Sequence, residues 1–218
     1  MIENHLDLID NLNKKFRLIF GPNFMLKSSN GDGHNLKIYH NNGSETAINR
    51  LDGGNDSQVT VHNWFNNYYI YIEVKFIFKP TKLAGTKKLT IIIDQCSISI
   101  SIFKKIYDKI VQLFRAEWDE YSEKQDSHPQ PHWHITSDTS VANTFNEYAE
   151  QFGEEGFMNI LRPEKEQISS LKKFHFAMKG KWEEDKTHST KIVSNEQVSQ
   201  WMEGLLSSIR AELEYIDK

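Results

Sequence analysis

The sequence predicts a single α+β domain over residues 1–218, a mainly antiparallel sheet with an N-terminal helix and C-terminal helices packed on it. Three observations lead there. Residues 68–78 alternate strictly, with Ile70, Ile72, Val74, Phe76 and Phe78 on one face and Tyr71, Glu73 and Lys75 on the other, as a strand with one buried side requires. Both ends of the chain carry apolar residues at helical spacing instead. Strand-like segments fill the first two-thirds and helical ones close the chain, the order of an α+β fold rather than of alternating parallel units.

Near the start, Ile2, Leu6, Ile9, Asn13 and Phe16 recur at helical spacing with Leu12 and Ile19 alongside, and Gly21-Pro22 supplies a stop. Residues 28–57 are rich in Asn, Gly, Ser and Asp around the short run 36–39, which reads as short strands joined by loops. Between 89 and 102 the apolar phase shifts, from Leu89, Ile91 and Ile93 to Cys96, Ile98, Ile100 and Ile102. A bulge or turn near Asp94-Gln95 accounts for that, giving two strands or one bulged strand. Residues 104–112 fit a short helix. Leu113 to Tyr121 then alternates Phe114, Ala116 and Trp118 with Arg115, Glu117 and Asp119, and 131–136 reads as its returning hairpin partner.

Val141, Phe145, Tyr148, Ala149 and Phe152 share one helical face ending at Gly153, and Pro163 to Gly180 fits another helix with acidic residues first and lysines last. The final helix is marked by Ser194 and Gln197 in capping-box positions ahead of Val198, Trp201, Met202, Leu205, Leu206, Ile209 and Leu213.

Composition narrows the function classes. A net charge of −4 gives no global attraction to nucleic acid, although a local patch such as Lys172, Lys173, Lys179 and Lys181 interleaved with Phe174, Phe176 and Trp182 keeps such binding open. The single cysteine, Cys96, rules out an intramolecular disulfide and points to a reducing compartment, and within Ile-rich strands it reads as a small core residue. No run reaches the roughly 18 uncharged apolar residues of a membrane helix, and no signal-peptide pattern opens the chain, so a cytoplasmic protein is expected. There is no phosphate-binding glycine loop, Gly-x-Ser-x-Gly elbow or Cys-x-x-Cys pair.

One segment is chemically suggestive, His-Pro-Gln-Pro-His-Trp-His at 128–134. Residues two apart on a strand leave the same face about 6–7 Å apart. His132 and His134 can therefore share a divalent metal, with Glu117 or Asp119 of the facing strand as a third ligand and His128 in the connecting loop. His175 and His188 are further candidates, His175 lying among Phe174, Phe176 and Met178. The alternative is structural: Trp133 and Ile135 fill the core while the histidines hydrogen-bond to Arg115, Glu117 or Asp119. The structural role is favoured, so no cofactor is expected beyond a zinc or manganese ion if the histidines do hold one.

The run Pro131-His132-Trp133-His134-Ile135 resembles the His-hydrophobic-His motif of the single-strand endonucleases that include relaxases and rolling-circle replication initiators. That resemblance implies metal ligation by His132 and His134 and attack on a phosphodiester by Tyr148, the tyrosine of the next helix. The family's lysine four residues further on is Phe152 in this chain. A wider span, from Arg115-Ala116-Glu117-Trp118-Asp119 through His128-Pro129 and His132-Trp133-His134-Ile135 to the C-terminal helix, is similar to uncharacterised bacterial proteins encoded near anti-phage defence genes. It implies a bacterial cytoplasmic setting and a role in antiviral defence.

Two functions follow as expectations. The favoured one is a non-catalytic protein that acts through a protein partner, using an exposed face of Tyr69, Tyr71, Glu73 and Lys75 with Trp133 and Arg115 as further contacts. The other is a His-cluster metalloprotein acting as a metal-dependent single-strand nuclease.

Overall fold

A computed structural model describes residues 4–29, 35–51, 56–82, 89–119, 131–135, 175–177 and 194–217. In chain order the elements are α1 (His5–Phe20), β1 (Leu26–Ser28), β2 (Leu36–Asn41), β3 (Glu45–Asn49), β4 (Ser57–Phe65), β5 (Tyr68–Lys82), β6 (Leu89–Ile106), β7 (Lys109–Asp119), β8 (His132–Ile135), β9 (His175–Ala177) and α2 (Asn195–Ile216). The helix expected at 141–152 lies outside the described residues, as does the start of the one expected from Pro163. The latter does not reach Gly180 as a helix. Residues 175–177 are strand, in keeping with the alternation of Phe174, Phe176 and Met178 with His175 and Ala177.

The strands form an antiparallel sheet in the order β1-β2-β5-β6-β7-β8-β9, with β4 joined to β5 and β3 to β4. One edge of the long β5 is shared. Its first residues, Tyr68–Ile70, pair with β4, while Glu73–Ile77 pair with β2. Between the two partners the ladder is interrupted, and Asn41 fills the gap: the Ile72 N–H donates to its Oδ1, and its Nδ2 donates to the Ile70 carbonyl. Asn41 is 1% exposed, so Asn41→Leu leaves buried backbone groups without partners. That substitution should cost about 1–3 kcal/mol in urea denaturation. An unchanged midpoint would mean that water reaches the gap.

The bulge inferred from the apolar phase shift is present at Asp94, where Ile77 pairs with Gln95 and Phe78 with Ile93, so β6 is one continuous strand. The helix expected at 104–112 is instead the end of β6, a turn at Tyr107-Asp108 and the start of β7. Pairing won over local periodicity there, because extending the ladder also buries Phe103 in a second cluster with Ala47, Val61, Tyr69 and Tyr71. Tyr107 adopts φ 53, a left-handed conformation that disfavours a bulky side chain, and its ring is 94% exposed. Tyr107→Asn should therefore raise stability by about 0.5–1 kcal/mol, seen as a higher melting temperature. A lower one would show that the exposed ring makes a stabilising contact.

Helix α1 begins at Asn4, whose Oδ1 accepts from the Leu6 N–H at 3.0 Å, and ends at Gly21 with φ 99. Its buried residues are Leu8, Ile9, Leu12, Phe16 and Phe20, whereas Leu6 is exposed. Asn13 interrupts that face because its side chain binds the backbone of Leu26, tying edge strand β1 to the helix. Helix α2 starts with Ser194 Oγ accepting from the Gln197 N–H, the capping expected from sequence.

Both helices pack on the same sheet face. Phe16 of α1 and Leu206 of α2 join Ile72, Val74, Ile98 and Ile100 in the main core, and a Lys15–Glu203 ion pair links the helices. At its end α2 is held to the sheet through Asp217, which accepts from Tyr68 and Lys104. Among the described residues no helix is long and apolar enough to cross a membrane.

The opposite sheet face is covered in part by β3 and β4. Tyr69 and Tyr71, expected on an exposed contact surface, are each 7% exposed and belong to the second core cluster beneath these strands. Burial and the neighbouring Glu73 carboxylate, which accepts the Tyr71 hydroxyl, push that hydroxyl's pKa well up. The end of β3 is pinned over β6 and β7 by polar side chains: Ser101 Oγ donates to Asn49 Oδ1, and the Arg50 N–H donates to Gln112 Oε1.

Candidate metal centre

Strand β7 divides its side chains between the two sheet faces. Ala116 and Trp118 enter the main core, with Phe114 packed against it, and this leaves Arg115, Glu117 and Asp119 to the other face. Strand β8 pairs with β7 so that Glu117 faces His132, Ala116 faces Trp133 and Arg115 faces His134. Trp133 packs against the main core with its ring edge-on to Phe114, at 5.4 Å between centroids, so it serves the interior and not the contact surface expected for it. With Trp133 on that side, His132 and His134 share the polar face with Glu117.

The three side chains converge. His132 Nε2 lies 2.7 Å from His134 Nε2, and Glu117 Oε2 lies 2.8 Å from His134 Nε2 and 3.6 Å from His132 Nε2. A triangle with those sides has a circumscribed radius of about 1.8 Å, shorter than the roughly 2.0–2.1 Å of a zinc–imidazole bond. One point just off its plane is therefore at bonding distance from all three donors. Glu117, His132 and His134 form a group that could hold a metal ion, with both imidazoles buried and the carboxylate partly so.

Protons alone serve this geometry poorly. A ring nitrogen presents either a proton or a lone pair, directed along one line in the ring plane. At His134 Nε2 that single position has to serve both the His132 ring and the Glu117 carboxylate. If both Nε2 atoms are protonated, two N–H groups crowd within 2.7 Å; if neither is, lone pairs face each other and the carboxylate. With the proton on His134 alone one N–H has two acceptors to serve, and with it on His132 alone the His134 lone pair faces the carboxylate. A divalent cation between the donors satisfies every lone pair at once.

Glu117 is held for this task. Its Oε1 pairs with Arg115 Nε at 2.7 Å while Oε2 is turned to the histidines, and Arg115 Nη1 donates to the Arg50 carbonyl at 2.7 Å. Burial by itself would push the Glu117 carboxyl's pKa up, but the facing His132 and His134 imidazoles and the charge of Arg115 bring it well below the usual range. Arg115 is 3% exposed, so it orients Glu117 and the end of β3 rather than meeting a partner at the surface.

Of the other expected site residues, Asp119 lies two positions beyond Glu117 and outside the converging group. Burial, and then the charge of Glu117, pushes its carboxyl up to about 6. His128 and Tyr148 lie outside the described residues, as do His188 and the lysines at 172, 173, 179 and 181. Cys96 is buried in the main core, as expected. The sequence reading missed Asn49, Arg50 and Gln112, which fix β3 and through it Arg115. The available signal was Gln112 itself, a polar residue 4% exposed inside an otherwise apolar run. Comparison of the chain with protein-family models, with curated proteins and with solved structures finds no match.

Proposed function

We propose that this protein is a metalloprotein whose activity depends on one divalent transition-metal ion bound by His132 Nε2, His134 Nε2 and Glu117 Oε2. The observation that carries this reading is the convergence of three donors to within hydrogen-bonding distance around a single His134 nitrogen. Two imidazoles and a carboxylate suit zinc, iron(II) or manganese. The three donors found among the described residues leave room in the coordination sphere for water or a substrate oxygen, as in a reactive centre. The ion would supply Lewis acidity or an activated water. The chain's own contribution is to fix the donors: Arg115 holds Glu117, and the β7–β8 register sets the histidines across from it.

The expectation of a non-catalytic, partner-binding protein drew on the absence of a strong motif and on a contact face of Tyr69, Tyr71, Glu73 and Lys75, and the burial of both tyrosines takes away the aromatic part of that face. Metal-dependent cleavage of single-stranded nucleic acid, the activity implied by the His-hydrophobic-His resemblance, is the first chemistry to assay. The decisive experiment is titration of metal-free protein, purified without a polyhistidine tag, with zinc, manganese and iron(II). Uptake should saturate at one equivalent per chain, and the folded double variant His132→Ala, His134→Ala should take up none. Wild-type protein that binds no more metal than the double variant would overturn the reading.

A further inference from the structure

We infer that the metal centre acts on a substrate that also carries an anionic group, a phosphate or a carboxylate, and that Lys75 receives this group; the inference rests on the metal reading above. The carrying observation is register. Val74 and Phe76 belong to the main core, so Lys75 lies on the other face of β5, which is the face of the metal centre. Lys75 faces Ser97 of β6, and Ser97 faces Asp119 of β7, two positions along that strand from Glu117. Neighbouring strands are about 4.8 Å apart, which puts Lys75 roughly 10 Å across the sheet from the strand that supplies the carboxylate ligand.

The surface between them is a trough. Its floor is Ser97 and Ser99 of β6, short side chains flanked by Glu73 and Lys75 on β5 and by Glu117 and Asp119 on β7. These residues are half-buried, whereas Tyr69 and Tyr71 further along the same face lie under β3 and β4. The charges of the trough are unevenly matched. Arg115 holds Glu117, Glu73 accepts the Tyr71 hydroxyl, and Lys79 is paired with Asp94. The Lys75 ammonium has no ion pair and no hydrogen bond among the described residues. Burial pushes the Asp119 carboxyl up, and Lys75 is near enough for its charge to act against that push, so the ammonium serves the β7 side of the trough. A substrate with one oxygen on the open coordination position can therefore lay its chain over the two serines and bring an anionic end to Lys75. An ammonium is a compact point charge that takes phosphate and carboxylate alike, so the geometry names the charge and the span.

Cobalt(II) in the site reports the entry of a carboxylate through its visible spectrum, and linear dicarboxylates from succinate to sebacate serve as rulers, each measured against its own monomethyl ester. The dicarboxylate whose length matches the span should bind wild-type protein about tenfold more tightly than its ester, the gain of one charge-assisted hydrogen bond. Lys75→Met should take up one equivalent of cobalt and lose the preference. Lys75→Arg should keep it and Lys75→Glu should turn it in favour of the ester, two results that loss of structure alone would not produce. At the matched length, exchanging one carboxylate for a phosphonate tells the two sources apart: tighter binding through Lys75 assigns a phosphate and weaker binding a carboxylate. No preference at any length in wild-type protein, or a preference that persists in Lys75→Met, would overturn this inference and leave the metal reading standing. No cobalt uptake by wild-type protein would overturn both.

Discussion

Zinc at about a thousand times its dissociation constant should stabilise the metal-free protein by about 4 kcal/mol, which for a chain of 218 residues raises the melting temperature by roughly 8–16 °C. The reason is that the site exists only in the folded chain. Glu117 stands on β7 and the two histidines on β8, and only the β7–β8 ladder brings their donor atoms together. An unfolded chain offers the ion scattered single ligands, so binding energy is converted into folding stability. Magnesium, which demands an octahedral shell of oxygen and keeps its waters, should produce little shift. His134→Ala removes the donor at which the short contacts meet, and its melting temperature should not respond to zinc. A full zinc response in that variant would move the binding to other histidines.

How far the sequence reveals such a site depends on the range of the interactions involved. The period-two pattern of 70–78 and the phase break between Ile93 and Cys96 are local, and both survive into the structure as β5 and the Asp94 bulge. The burial of Tyr69 and Tyr71 is not local. It follows from the shared edge of β5, which lets β4 and β3 fold over the second face, and nothing in the alternation of β5 itself records that cover. The same holds for 104–112, where isoleucines at positions 106 and 110 fit a helical turn as well as a hairpin and the ladder decides. At the site, spacing alone puts His132 and His134 on one face. The choice of Glu117 over Asp119 needed the register that sets Glu117 opposite His132, together with the Arg115 contact that turns its carboxylate.

Replacing Glu117 with leucine should destabilise even the metal-free protein by about 3–5 kcal/mol, since it takes a carboxylate away from a buried guanidinium 2.7 Å distant. Arg115 keeps its hydrogen bond to the Arg50 carbonyl in that variant but loses the carboxylate 2.7 Å from its Nε. A guanidinium 3% exposed cannot recover the difference from water. Removing both charges, as Arg115→Met with Glu117→Leu, should cost clearly less than the two single replacements together, because well-packed apolar side chains often substitute for a buried ion pair at little cost. Urea denaturation of the three metal-free variants measures the coupling, and additivity within about 0.5 kcal/mol would deny that the pair acts as a unit. Arg115→Met alone separates orientation from ligation. It retains His132, His134 and the Glu117 carboxylate but frees Oε1, so the metal should still bind at one equivalent with an affinity about 10–100-fold lower. Unchanged affinity in that variant would show that the histidines alone position Glu117.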